Sequence, residues 1–547
     1  MARYRAYGKL DDPIREVGDT LVRGIISRED SALLPSGFVA DAQNVRMNDG
    51  TATTRNGYVQ KVSLGATTYS ANYFGGIGSD RSNNVALFQV KSMELWDGSA
   101  TSTVRFDQNL ILLEGGTSPD LTRYSLLTES GDSLVEEASV FVSLGTFPNS
   151  NDGLQFANKE IVFKGLGETL PVSLASFYLG GPVQVWDGNE VNDVRDFVVD
   201  PGIPETDYGI VVGDRMAIQS DKDQIAFSDL VNPSNFDVLN KFTFGKGDGD
   251  DIVGMAPVPE NAAIVFKRRS TWAISDLELL PNAAITQVSA NIGCVSRHTI
   301  QNVGSAIFFL SDKGVYAFDV GVDASNTRGV LTQFDLRSEP ISKPINDQIL
   351  GEDMVEAATS ARSVYFNNRY HLAFKNGTGT RIYIFNSENE AWESRDEYTF
   401  LIKDFVRATP TGETVERLYA ATDDGKLMLL EQGALDAAAK VAWSVNTRHY
   451  GGGNLDVESF RRGSFGGETL ESSVSLTMTL DVRDPDSSTS FSPSIPSTAD
   501  ENFLTRFSLR KRGQSLQYRF AGSGRMKLRG MRAELTDDSN NLTTKYE

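Results

Sequence analysis

Cysteine occurs once in this sequence, at Cys294. A disulfide framework within the chain and a cysteine-rich zinc site are both excluded. Histidine occurs three times, at His298, His371 and His449, too far apart for an HExxH or paired-His site. No Gly-x-Ser-x-Gly elbow, P-loop or dinucleotide fingerprint is present. No apolar run approaches the ~20 residues of a membrane helix, so membrane insertion is not expected. The opening MARYRAYGKLDDPIREVGD lacks the apolar core of a secretory signal, and signal-directed export is not expected either. Basic residues are in the minority, 52 against 73 acidic, for a net charge of −21. That balance argues against grip on nucleic acid by phosphate neutralisation and against an anionic membrane surface. Helix is scarce too: only Asp353–Arg362 and the Ala-rich Ala434–Trp443 read as short helices.

What the sequence has in quantity is glycine, 49 residues, set between short apolar runs. In AIFFLSDKGVYAFDV, the run Ala306–Leu310 is followed by an Asp312-Lys313-Gly314 turn and the return run Val315–Val320. Arg215–Leu230 and Asn261–Ser275 follow the same plan. These are hairpins, and they recur at intervals of roughly 40–55 residues, the period of β-propeller blades. Ile307-Phe308-Phe309-Leu310 does not alternate, so such a strand needs cover on both faces, which neighbouring blades provide. A β-sandwich array or a solenoid is the competing reading. At roughly 150 residues per domain, 547 residues make three or four domains or one large repeat body with appendages.

Met93–Gly98 and Val183–Gly188 both close a strand on Trp-Asp-Gly. Trp96 and Trp186 are expected to pack between sheets, with Asp-Gly making the turn. Beyond residue 440 the pattern changes. Val474, Leu476, Met478 and Leu480 alternate with Ser and Thr, the mark of a half-buried strand and of a C-terminal β-sandwich-like domain. Asp484–Asp500 reads as a Ser- and Pro-rich loop. The expected fold is thus mainly β: an N-terminal arm over 1–33, a propeller-like body over 34–440 and a C-terminal β-domain over 441–547. Within the body, 99–154 is an insertion or an irregular blade.

Charge is unevenly placed. Residues 441–547 carry a net +1 and residues 1–440 a net −22. Asn502–Ala533 holds no acid but nine bases: Arg506, Arg510, Lys511, Arg512, Arg519, Arg525, Lys527, Arg529 and Arg532. They form a candidate docking surface for an acidic partner or for phosphate. Solvated strand faces that guard sheet edges are the alternative.

Sites for chemistry are hard to find. LSDKG and ATDDG lack the Ser or Thr of a sialidase-type Asp-box, with Leu310 and Ala421 in that place. Gly245–Ile252 clusters three Asp residues but lacks the spacing and distal Glu of a calcium loop. Cys294, beside Ile292 and Val295, reads as core, and His298 as a strand residue. No catalytic residue, metal or cofactor is expected.

The most tightly written stretch is LPSGFVADAQNVRMNDGTATTRNGY, Leu34–Tyr58. It sets Pro35 and Gly37 before a strand, then Asn44 and Arg46, a turn at Gly50, and Arg55 and Gly57. This stretch resembles the start of the nozzle, or tail-tube, proteins of short-tailed bacteriophages. The resemblance continues in order through GDRMAIQSDKDQIAFSDLVNPSNFD, GDGDDIVGMAPVPENAAIVFKRRSTWAIS, IGCVSRHTIQNVGSAIFFLSDKGVYAFD and RGQSLQYRF. Ser99–Leu154 departs from it. The resemblance implies a structural protein of the virion tail, made in the host cytoplasm and not an enzyme. It implies a homohexameric ring below the portal and adaptor, with tail fibre or tailspike as further partners. Double-stranded DNA would be held back and then pass through without specific binding. An acidic body repels a duplex, and the basic segment is expected to dock on an acidic adaptor through Arg512 and Arg519. The stretch Leu34–Tyr58 is expected to open the propeller. The alternatives are another tail part (a tailspike or fibre anchor, or a baseplate propeller), a propeller glycosidase, or an intracellular interaction propeller.

Overall fold

The structure is a computed structural model. It describes residues 15–20, 23–48, 50–64, 202–204, 206, 208–259, 261–321, 333–409, 414–451, 458–483 and 486–537, and short segments between 70 and 199, mostly as backbone. Its elements are mainly β-strands in antiparallel sheets. Among the described residues, no helix is long and apolar enough to cross a membrane.

Among the described residues there are seven groups of four strands, with two-stranded pairs between the first and second and within the second. In chain order they begin at Ser70–Phe74, Asp152–Phe156, Gly209–Val212, Ile252–Val258, Gln301–Val303, Arg362–Phe366 and Ile402–Ala408. In each group every strand pairs antiparallel with the next. The first strand of one group lies beside the first strand of another: Ser70–Phe74 by Asp152–Phe156, Gly209–Val212 by Ile252–Val258, and Arg362–Phe366 by Ile402–Ala408. Ile402–Ala408 in turn lies beside Ser70–Phe74, so the last group meets the first. The seventh group takes its fourth strand from far up the chain: Val59–Ser63 pairs with Lys426–Leu429.

The non-alternating strands are buried on both sides, as two-sided cover requires. Every residue of Ala262–Lys267 and of Ala306–Ser311 is buried. Ala263 and Val265 pack with Phe227 of the preceding group. Ile264 and Phe266 pack with Phe309 of the following group, where the Phe266 and Phe309 ring centroids are 4.6 Å apart. Each of the buried Val, Ile and Phe side chains contributes about 1.5–3 kcal/mol of transfer free energy.

The other large unit has two layers. One sheet contains Arg15–Asp19, Val45–Asn48, Thr51–Thr54, Met526–Asp537, Glu458–Thr469 and Glu501–Gly513. The facing layer contains Phe38–Gln43, Ala442–Tyr450, Ser515–Ser523, Ser475–Arg483 and Ser487–Phe491. Phe465 of the first layer meets Phe520 of the second at 5.3 Å. The second layer is continuous with the sixth group, because Phe38–Gln43 pairs with Ala391–Tyr398 at Gln43–Arg395.

Several expectations need correction. Residues 38–54 do not open the repeat body: they pair with strands after residue 441, and Gln43 bridges to Arg395 of the sixth group. The arm is strand from Arg15, held against Met526–Asp537, while residues 1–14 lie outside the described residues. The alternation of Val45–Asn48 suits a sheet with one buried face, which the two-layer unit offers. Ala434–Trp443 is not a helix: Leu435–Asp436 and Ala439–Lys440 form a small hairpin, and Ala442 starts a strand. Ala437 turns the chain there at a φ of 55°, so the helix propensity of alanine yields to tertiary pairing. Met354–Ser360 is helical as read, capped by the Asp353 side chain. The Trp96 and Trp186 side chains lie outside the described residues, although both residues end strands.

Candidate docking surface

Strand alternation decides where the basic residues point. In Met526–Asp537, Met526, Leu528, Met531, Ala533 and Leu535 are buried in the two-layer core. Lys527, Arg529, Arg532 and Glu534 therefore fall on the outer face. In Glu501–Gly513 the outer face holds Leu504, Arg506, Ser508, Arg510 and Arg512, all exposed. Between these two strands runs Glu458–Thr469, hydrogen-bonded to both. Its Gly463 leaves room for a ring: a Cβ there would lie 2.4 Å from Phe507.

The outer face forms an open groove of about 1910 Å³. It brings together Arg506, Arg510, Lys511, Arg512, Arg529 and Arg532 from the nine residues singled out in the sequence. It adds two that the sequence reading missed, Arg461 and Arg462, both exposed. The signal for them was the Arg-Arg pair inside SFRRGSF, which lies outside the acid-free window. Acids answer part of this charge. Arg532 pairs with Glu16 at 2.9 Å and Arg529 with Glu468 at 2.8 Å. Arg461, Arg462, Arg506 and Arg510 have no ion pair among the described residues. Lys511 turns to the rim and donates to the Thr489 hydroxyl at 2.7 Å.

Arg519 does not belong to this face. It lies in the other layer, where it pairs with Asp481 and donates to Gln517 at 2.9 Å. The joint role expected for Arg512 and Arg519 is therefore split between two surfaces. Arg525 precedes the Met526–Asp537 strand and is half buried.

The Leu34–Tyr58 residues build a different place, a buried joint between the two-layer unit and the sixth and seventh groups. Pro35 and Gly37 form the turn before Phe38, with the Phe38 N–H on the Pro35 carbonyl at 3.3 Å and the Gly37 N–H on Asp19 at 2.9 Å. Gly50, at a φ of 78°, turns Val45–Asn48 into Thr51–Thr54. Asn44 sits at a φ of 56°. Its amide donates to the Ala442 carbonyl at 2.7 Å, and its oxygen accepts from Arg55 at 2.9 Å and from the Glu397 N–H at 3.1 Å.

Arg46 makes a two-pronged contact with Asp396, at 3.1 and 2.6 Å, and reaches Glu431 at 2.6 Å. Arg55 makes the same kind of contact with Asp436, at 2.9 and 2.7 Å, and lies 4.4 Å over the Tyr398 ring. Arg369 holds Glu393 at 2.5 Å. Burial would lower the Arg46 pKa, but Asp396, Glu431 and Glu393 outweigh it and hold the guanidinium charged. Burial likewise opposes ionisation of Glu431, yet Arg46 and His371 hold its pKa well below the ordinary 4.5. A buried charge cluster of this kind tolerates no missing partner. Its bidentate geometry fixes position as well as charge.

Among the described residues, no group of three His, Cys, Asp or Glu is placed to hold a metal ion. In the Gly245–Ile252 loop, Asp248 binds the fully buried Lys267 ammonium at 2.6 Å. Asp250 accepts from the Arg269 N–H at 3.0 Å and from Ser270 at 2.9 Å. Cys294 is buried, and burial pushes its thiol pKa up to about 12. His298 lies in a single 3-10 turn rather than a strand.

No family model matches the chain, and no curated protein matches it. Among solved structures it is similar to an exo-beta-1,3-galactanase from Phanerochaete chrysosporium, at 7% identity and a TM-score of 0.23, over 64% of this chain and 100% of that one. It is also similar to the extracellular domain of a protein described as a one component system from B. thetaiotaomicron, at 9% identity and a TM-score of 0.33, over 74% of this chain and 43% of that one. Likenesses this slight carry neither fold nor activity across to this chain.

Proposed function

We propose that this chain is a structural component of a short bacteriophage tail: a nozzle subunit that assembles as a homohexameric ring and extends the DNA channel below portal and adaptor. In this reading the seven four-stranded groups form a seven-bladed β-propeller. The neighbouring first strands would line its axis, and the pairing of Val59–Ser63 with Lys426–Leu429 would close the ring of blades. The two-layer unit is the docking element, and its partners are neighbouring copies of the chain, the adaptor, and tail fibre or tailspike.

The observation that carries the reading is the segregation of charge. Residues 1–440 hold a net −22, while unanswered arginines gather on one outer sheet face. A channel that conducts DNA must not hold it, and even six to ten phosphate contacts produce strong, salt-dependent adhesion. An acidic body repels the duplex, and a confined arginine face serves protein contacts. The role is architectural, not catalytic. The buried carboxylates Glu393 and Asp396 and the half-buried Glu431 are each committed to arginine.

Electron micrographs of particles, with the chain labelled by antibody, test the reading. A six-fold ring at the tail tip is the expected result. A monomer that cleaves a glycan would overturn it.

A further inference from the structure

The third and fourth groups carry an exposed patch that the core does not explain. Leu239 is 85% exposed and Val238 78%, and Leu230, Val231 and Leu279 stand out beside them. Hydrogen bonds tie these segments together. The Val231 N–H donates to the Asp214 carbonyl at 2.8 Å and the Asp229 N–H to the Asn235 carbonyl at 2.9 Å. The buried Arg215 reaches the carbonyls of Ser228 at 2.8 Å and Leu277 at 3.2 Å. Carboxylates rim the patch: Asp214, Asp229, Asp237, Asp276 and Glu278. No Lys or Arg occurs in residues 228–240 or 276–283; the nearest bases are buried Arg215 and exposed Lys241. Contiguous exposed apolar residues with a charged rim mark a protein contact.

The arginine groove has the opposite character: exposed Leu504 lines it together with unanswered guanidinium groups, Arg506 next to it on the same strand face. We infer that the two surfaces are complementary, and that the arginine face of one copy docks on the acidic, apolar-centred patch of a second copy. Neither surface is self-complementary, so the contact is heterologous, head to tail, the type that generates rings. The partner is protein rather than nucleic acid. Guanidinium forks suit carboxylates and phosphates alike, but the chain's net −21 opposes approach of a duplex and leaves carboxylates as the partner groups. This inference rests on the assembly reading above and names the surfaces that would make it.

The test uses two full-length variants, Arg506→Glu with Arg510→Glu on the face, and Asp237→Lys with Leu239→Lys on the patch. Each is first checked for wild-type melting. Sedimentation velocity at low and high salt then follows assembly. The wild type is expected to self-associate, about tenfold more weakly in high salt. Each variant alone is expected to stay monomeric. A mixture of the two is expected to form pairs and nothing larger, because each copy keeps one intact surface.

Wild-type assembly by either variant, or no pairing in the mixture, would overturn the inference. A six-fold ring on particles carrying the face variant would do so too, yet leave the tail assignment standing. Fluorescence anisotropy with a short DNA duplex supplies the other arm. Binding that the wild type shows and the face variant loses would assign the groove to nucleic acid and sink the protein contact.

Discussion

Arg55 and Asp436 stand 381 positions apart in the chain, and their side chains meet through two parallel hydrogen bonds. The pair ties the N-terminal hairpin to the connector between the seventh group and the two-layer unit. Arg55 is fully buried, so its charge has no recourse to water.

Arg55→Met should leave Asp436 and the Asn44 oxygen short of a donor and cost about 3–5 kcal/mol. Arg55→Lys should recover less than half of that, because an ammonium cannot serve both carboxylate oxygens and Asn44 at once. Urea denaturation of the three proteins checks both statements.

Gly57→Ala should cost several times the ordinary glycine-to-alanine effect. The added Cβ would lie 1.9 Å from the Leu435 carbonyl oxygen, in a segment where the Gly57 N–H already binds the Gly433 carbonyl at 3.0 Å. The expected loss is about 2–4 kcal/mol, of the size seen for overpacking and backbone displacement. Soluble yield and melting temperature report it. Gly247→Ala, with nothing within 4 Å of the new Cβ, controls for a glycine at positive φ in open space.

Acid stability should fall in two stages. Burial, with Arg362 and Arg297 nearby, holds the His298 pKa well below the ordinary 6.5. Below pH 6.5 the unfolded chain takes up that proton and the folded chain does not, so stability declines as pH drops, by at most about 1.4 kcal/mol per unit for one group. Glu431 has the opposite timing. Its folded pKa is depressed below 4.5, so its contribution is complete above that value and is lost only as pH falls through the folded pKa. His298→Asn should make the first stage shallower, leaving the share of His449, which burial also holds below 6.5, and should leave the second stage unchanged. Unchanged curvature between pH 6.5 and 5 would refute the assignment.

Cys294 should be silent toward a thiol reagent in the native state. Its thiol is fully buried, donates to the Ser296 carbonyl at 3.1 Å, and has a pKa of about 12. At pH 8 the thiolate fraction is about one in ten thousand, and access is closed as well. Labelling with an aromatic disulfide should therefore track global unfolding.

The hairpins were legible because Ala306–Leu310 and Ala262–Lys267 combine unbroken apolar runs with turns of Asp, Lys, Arg and Ser. Local chemistry sets both features. The placement of Phe38–Thr54 was not legible. Its partners, Ala442–Tyr450 and Met526–Asp537, lie hundreds of residues away, and nothing local names them. The alternation showed only that one face is buried, not against what. The arginine face was half legible. An acid-free window found Arg506 to Arg532, but the window ran through two layers and swept in Arg519. It missed Arg461 and Arg462, which reach the face only through pairing with Glu501–Gly513. Asn44, Arg46 and Arg55 read as architecture in the sequence. Their carboxylate partners could not be named, because Asp396, Glu431 and Asp436 are three among 73 acids.

The strand Val59–Ser63 has a consequence for how the chain is made. Its partner, Lys426–Leu429, leaves the ribosome more than 360 residues later. Phe38–Gln43 and Thr51–Thr54 wait longer still, for Ala442–Tyr450 and Met526–Asp537. Contacts of such separation make folding slow. Until residues 442–537 have been made, the early strands hold open edges and stand exposed to wrong partners. The strands from Arg15 to Thr54 and those from Ala442 to Asp537 are thus clamped by one late event, and a product truncated near residue 440 loses the partners of Arg15–Asp19, Phe38–Gln43 and Thr51–Thr54.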